Sequence, residues 1–166
     1  MLLVREATPA PRALTDDERA RVGDALDAVR VAPAAVCARA AALARLVPRR
    51  PRWAEIRGPR CLVAHAAIAA RAEGIALGHR IYVRRALFAD DGSLPLDLLA
   101  HEVAHVAQML RDGWVRFYLR YGAAYARGRA RGLDDRRAYL SIPYEVEARA
   151  VAASVDPKSA DVRVLR

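Results

Sequence analysis

His101-Glu102-Val103-Ala104-His105 constrains this chain more than any other stretch. Two histidines four residues apart meet when the segment is a helix, one turn above each other and about 40° apart around the axis. Both imidazoles then reach a single metal ion from one rigid element. Glu102 projects from the adjoining face, where it can touch a water at that ion without being a ligand. The spacing is the HExxH arrangement of zinc hydrolases, in which the glutamate is the general base. The flanking residues read as the helix that this chemistry needs. Ser93 is an expected N-cap, Pro95 suits the first turn, and Asp97 sits near the positive end of the dipole. Leu98, Leu99, Val103, Val106, Met109 and Leu110 recur at helical spacing, and Gly113 supplies a stop.

A catalytic zinc holds three protein ligands and keeps a fourth position open. HExxH provides two, so a third must come from elsewhere. A histidine six residues beyond the second is excluded, because that position is Arg111, and no histidine follows His105. His65 and His79 lie upstream and read as strand-end or loop residues. That leaves a carboxylate on a downstream helix, and Glu145 and Glu147 are the glutamates after the motif. Two positions apart on a helix, they point to nearly opposite sides, so one of them faces the metal. Ala148 and Ala152 leave small residues on the side of Glu145, which allows close approach to the HExxH helix. Glu145 is the expected ligand and Glu147 the alternative.

At 166 residues the chain is long enough for one domain with a real core. Its formal charge of +9 is almost entirely arginine, since Lys158 is the only lysine. Arginine suits phosphate recognition, but these residues are scattered and no nucleic-acid-binding motif accompanies them. They read as solvated faces, and a nucleic-acid partner is not expected. Cys37 and Cys61 form no CxxC or disulfide framework. Met1–Val4 is too short for a signal-peptide core, and no stretch approaches the roughly 20 apolar residues of a membrane span. The expectation is a soluble, cytoplasmic protein without a signal peptide, with non-classical export left open.

Along the chain, residues 1–52 read as an N-terminal arm and helical hairpin, 53–155 as the domain that carries the motif, and 156–166 as a polar tail. Thr15-Asp16-Asp17-Glu18 is a capping box opening a helix with Val22, Leu26 and Val29 on its apolar stripe. Pro33 breaks it, and an alanine-rich second helix is expected over about 34–47. Pro48-Arg49-Arg50-Pro51-Arg52 reads as a basic linker. Cys61-Leu62-Val63 is a short strand candidate, and 66–73 a short helix ended by Gly74. Arg80-Ile81-Tyr82-Val83-Arg84 alternates as a half-exposed strand does. Its free edge is expected to pair with an extended peptide and present it to the metal. Trp114, Phe117, Tyr118, Tyr121 and Tyr125 have helical spacing and read as packing residues. Residues 127–132 read as a basic turn, Asp134 or Asp135 as the start of a short helix, and Pro143 as the start of the last.

Three segments carry a resemblance: Cys61-Leu62-Val63-Ala64-His65, Gly78-His79-Arg80-Ile81-Tyr82-Val83, and Leu98 through Gln108. Over about residues 53–112 they resemble a bacterial family of HExxH metallopeptidase-like domains found with extracellular contractile injection systems. The helix with Glu145-Val146-Glu147-Ala148 is similar to the third-ligand helix of gluzincins. The resemblance implies a mostly helical, minimal zincin-like α+β fold with a small sheet beside the HExxH helix. It implies Zn²⁺ on His101, His105 and Glu145, Glu102 as general base, and a peptide or protein substrate. A phenol commonly holds the oxyanion in such sites, and Tyr118, Tyr121, Tyr125, Tyr139 and Tyr144 are candidates. Gln108 is either a hydrogen-bond donor behind the ligands or an exposed polar residue. Many gluzincins place an aspartate four residues beyond the ligand glutamate, and this chain departs from them with Arg149. The alternative function is a zinc-stabilised peptide-binding scaffold that does not cleave. Oligomeric state is left open.

Overall fold

The computed structural model describes residues 10–49 and 72–156. Arg12–Ala13 (β1) leads to a helix over Asp16–Val29 (α1), a second over Ala34–Leu43 (α2), and a strand over Arg45–Arg49 (β2). A hairpin follows, from Gly74–Leu77 (β3) and Arg80–Arg84 (β4), and a short 3₁₀ turn leads away from it. Four more helices come after it: Leu96–Asp112 (α3), Trp114–Ala130 (α4), Asp135–Leu140 (α5) and Pro143–Val155 (α6). The fold is α+β and mostly helical, with one small mixed sheet.

The capping box at α1 forms as expected. Thr15 Oγ1 accepts from the Glu18 backbone N–H at 3.2 Å, and Glu18 Oε2 accepts from the Thr15 N–H at 2.8 Å. Arg12 clamps the same carboxylate with two bonds of 2.7 Å, tying β1 to the helix start. A Thr15→Ala substitution is expected to cost about 1 kcal/mol. It should lower the urea midpoint with an unchanged slope, and an unchanged midpoint would show that the cap contributes nothing.

The second helix ends earlier than its alanine content implies. Residues 45–49 leave it to form β2, which runs parallel to β4 with Leu46 beside Ile81 and Val47 beside Tyr82. Burial of Leu46 in the sheet overrides local helix propensity. Two of the five residues of the expected basic linker, Pro48 and Arg49, are therefore strand, and the other three lie outside the described residues. Pro48 lies beyond the two residues over which β1 pairs, where a strand tolerates a missing N–H. Gly74 opens β3 rather than stopping a helix. The strand candidate at Cys61-Leu62-Val63 and most of the short helix over 66–73 lie outside the described residues.

The sheet order is β1-β2-β4-β3. The expected strand at 80–84 forms, but it lies between β2 and β3, so its edge is not free and β3 is the outermost strand on that side among the described residues. A two-residue turn joins β3 to β4, and Gly78 takes a φ of 71° there. A side chain at Gly78 would also collide with Trp114. Val22, Leu26 and Leu46 share one apolar core with Leu99, Val103, Ala148 and Val151, so the N-terminal hairpin packs directly on α3 and α6. Helix α4 takes in the first four residues of the stretch read as a basic turn and ends at Ala130, so that Arg131 and Gly132 make the turn. Within the helix Gly128 is buried, and its missing side chain leaves room for Ala138 of α5. Among the described residues no helix is long and apolar enough to cross a membrane.

Candidate metal centre

Helix α3 begins later than expected. Ser93 is spent in a turn, where its N–H donates to Asp91 Oδ1 at 2.9 Å, and Pro95 takes the N-cap position without a side-chain bond. The helix ends at Gly113, with φ of 80°, as its sequence implies. Along it His101 and His105 stand one turn apart, with ring centroids 4.9 Å apart and planes at 88°. His105 is buried and His101 half-buried.

Helix α6 crosses α3 with Glu145 in its first turn and the buried Ala148 one turn further on. Glu145 is 2% exposed and aims its carboxylate between the two imidazoles. Its Oε2 lies 3.3 Å from His101 Nε2, and its Oε1 lies 3.2 Å from His105 Nε2. A tetrahedral zinc about 2.0–2.1 Å from each donor would space those donors about 3.3–3.4 Å apart. Each imidazole meets an oxygen at about that spacing, a different oxygen for each ring, and two nitrogens with one carboxylate oxygen, all within 4.8 Å of one another, are a donor set that could hold such an ion. Among the described residues this is the one such group.

In the ion-free chain the same groups bind each other. Burial opposes a charge on His105, but the hydrogen bond and charge of Glu145, the charge of Glu102 and the Gln108 bond together raise its pKa to about 9. Burial would push the Glu145 carboxyl up, yet the hydrogen bonds and charges of His101 and His105 hold it well below the usual carboxylate range. A metal ion entering here displaces a proton from His105.

Two phenols complete the shell around Glu145. Tyr121 of α4 donates to its Oε1 at 2.7 Å, and Tyr139 of α5 donates to its Oε2 at 2.7 Å. Burial and the charge of Glu145 push both hydroxyls above the ordinary phenol range, so both stay protonated donors. Tyr118 lines the same cleft. The other two candidates are elsewhere. Tyr125 donates a hydrogen bond to Asp135, and Tyr144 donates to Asp112 Oδ2 at 2.7 Å at the end of α3. Nothing in the spacing distinguished Tyr121 and Tyr139, because which phenol reaches Glu145 depends on how α4 and α5 fold back over α6.

Glu102 is 4% exposed and lines the cleft beside the cluster. Gly74 of β3 lies against it so closely that a Cβ there would stand 2.7 Å from Glu102 Oε1. The role of this glycine went unseen in the sequence, where it reads as a helix stop. The cleft, about 720 Å³, runs between β3 on one side and α4 and α5 on the other. Ile75, Leu77, Phe117 and Leu140 make its apolar walls, with Asp135 and Arg136 also lining it.

Glu147 does not reach the cluster. Two positions beyond Glu145, it turns to the other side of α6, where Gln108 donates to it at 2.7 Å and Arg111 at 3.0 and 3.2 Å. Gln108 is fully buried, not an exposed polar residue, and stands 2.8 Å from His105 Nδ1. Arg149 donates to the Leu140 carbonyl and takes no part in the cluster.

Fold and site together define a small, mostly helical α+β domain in which an HExxH helix and a crossing helix form a His-His-Glu cluster beside a mixed sheet. Residues 59–113, one third of the chain, match the family described as the eCIS core domain, which links the chain to extracellular contractile injection systems. The match takes in β3, β4 and the HExxH helix, while Glu145 and both site phenols lie beyond it. No curated protein and no solved structure matches the chain.

Proposed function

We propose that the chain is a zinc-dependent peptidase of gluzincin type, with His101, His105 and Glu145 as ligands and Glu102 as general base. The observation that carries this reading is the convergence of two imidazole nitrogens and a carboxylate from two helices, with ligand atoms all within 4.8 Å of one another. Zinc, when bound, would acidify a water and polarise the scissile carbonyl. Glu102 would accept the proton of that water and pass it to the leaving amine, and its position in the cleft wall supports this. The missing side chain of Gly74 leaves the space that the Glu102 carboxylate occupies against β3. An extended peptide laid along β3, the outermost strand among the described residues, would run past the cluster. Tyr121 and Tyr139 hold the Glu145 oxygens, which fixes the carboxylate before an ion arrives.

The test is zinc uptake followed by a digest. Purified protein, stripped with chelator and reloaded, is expected to bind one zinc per chain and to cleave members of a random peptide library. Failure to take up zinc in excess metal would sink the reading. Uptake without cleavage would leave a zinc-stabilised peptide-binding scaffold in its place.

A further inference from the structure

We propose that Glu147 is a positioning residue: acting through Gln108, it fixes which nitrogen of His105 carries a proton and so keeps Nε2 directed at the ion. The inference rests on the zinc reading above for its consequence, although the hydrogen bonds that carry it exist in the ion-free chain.

The Gln108 amide has one oxygen that accepts and one NH₂ that donates. Its Nε2 end lies 3.0 Å from the Tyr144 carbonyl and 2.7 Å from Glu147 Oε2. A carbonyl and a carboxylate both accept and neither donates, so the NH₂ group must face them. The reverse orientation would set the amide oxygen against two other oxygens inside a fully buried site. Gln108 Oε1 therefore faces His105 Nδ1, 2.8 Å away, and that nitrogen must carry the hydrogen. Nε2 faces Glu145 Oε1 at 3.2 Å and carries a hydrogen in the ion-free ring; the neutral ring that an ion would bind keeps the Nδ1 hydrogen and has its lone pair at Nε2. With the amide reversed, its NH₂ would favour the opposite tautomer, whose Nε2–H cannot bind a metal.

Glu147 is in turn held from outside. Arg111 donates to both of its oxygens, to the carboxylate of Asp112, and to the carbonyl of Val31 just after α1. The relay thus runs from the N-terminal hairpin through Arg111, Glu147 and Gln108 to His105. Val31, Tyr144 and Glu147 lie outside the matched stretch and His105, Gln108 and Arg111 inside it, so the relay joins that stretch to the chain on both sides of it.

Zinc affinity, measured by chelator competition, and exchange of the His105 Nδ1 proton, measured by NMR on histidine-labelled protein, test this together. Four histidines make the assignment tractable. Gln108→Leu is expected to weaken zinc binding toward the upper end of a 10–100-fold range, and Glu147→Ala toward the lower end, about 10-fold, because the Tyr144 carbonyl remains. Both should speed Nδ1 proton exchange. Glu147→Gln keeps an acceptor for Gln108 and should recover most of the loss, while melting curves confirm that each variant is folded. A folded Glu147→Ala variant that binds zinc as tightly as the wild type overturns the proposal. If the wild type binds no zinc, the peptidase reading falls and the exchange rate alone decides the relay. Equal exchange in wild type and Glu147→Ala then overturns it as well.

Discussion

Glu102→Gln is expected to remove peptide hydrolysis while leaving zinc uptake intact. The substitution keeps the shape of a side chain that is 4% exposed and pressed against Gly74, so nothing needs to repack. It removes a negative charge, one of the influences that raise the His105 pKa, and it removes proton acceptance, because an amide cannot take a proton. General acid–base catalysis contributes about 10²–10⁴-fold, so kcat should fall by at least that factor, or roughly 3–5 kcal/mol of transition-state stabilisation. KM should move little, because Glu102 is not among the cluster atoms that hold the ion. The zinc content of the variant is the control. Loss of activity together with loss of zinc would mean that Glu102 supports the fold of the site rather than the proton transfer. Full activity in a zinc-loaded variant would remove Glu102 as the base.

Helix α3 and the pair His101 and His105 were legible because both signals are local: a 3.6-residue apolar period and an i, i+4 spacing on the same element. Glu145 was legible for a second local reason. With His105 the last histidine and two glutamates downstream, the small residues at 148 and 152 marked the face of α6 that could approach α3. What could not be read depends on tertiary neighbours. β2 carries an alternating burial pattern over five residues, too few to outweigh the alanines before it, and it becomes a strand because β4 is there to pair with. β3 starts with a glycine that resembles a stop, and only its contact with Glu102 explains the residue. Among the phenols, Tyr125 shares the helical spacing of Tyr121 yet bonds Asp135, and Tyr144, next to Glu145 in sequence, bonds Asp112. The absent aspartate at position 149 reads as a defect on its own. Gln108 and Glu147 show that an imidazole can be held through a different pair, reached from the other side of the ligand helix.

Glu145→Ala should have the second-largest effect, and it acts on metal and fold together. The carboxylate belongs to the group proposed to bind zinc, and it also accepts from Tyr121, Tyr139 and both imidazoles. Breaking a buried pair by removing one partner costs about 3–5 kcal/mol, since the groups left behind are desolvated and unmatched. The ion-free variant should therefore unfold at a distinctly lower urea concentration than the ion-free wild type. Zinc should stabilise the wild type by mass action, as any ligand specific to the native state does. With two imidazoles left, the variant should lose most of that increment, beyond the roughly 10–100-fold that an outer-shell change produces. Glu145→Gln separates the two contributions. The amide retains an oxygen to accept from one phenol, so part of the ion-free stability should return, while the lost charge keeps zinc binding weak. A variant in which both the ion-free midpoint and the zinc increment match the wild type would show that the convergence of α3 and α6 on this carboxylate is packing without a metal.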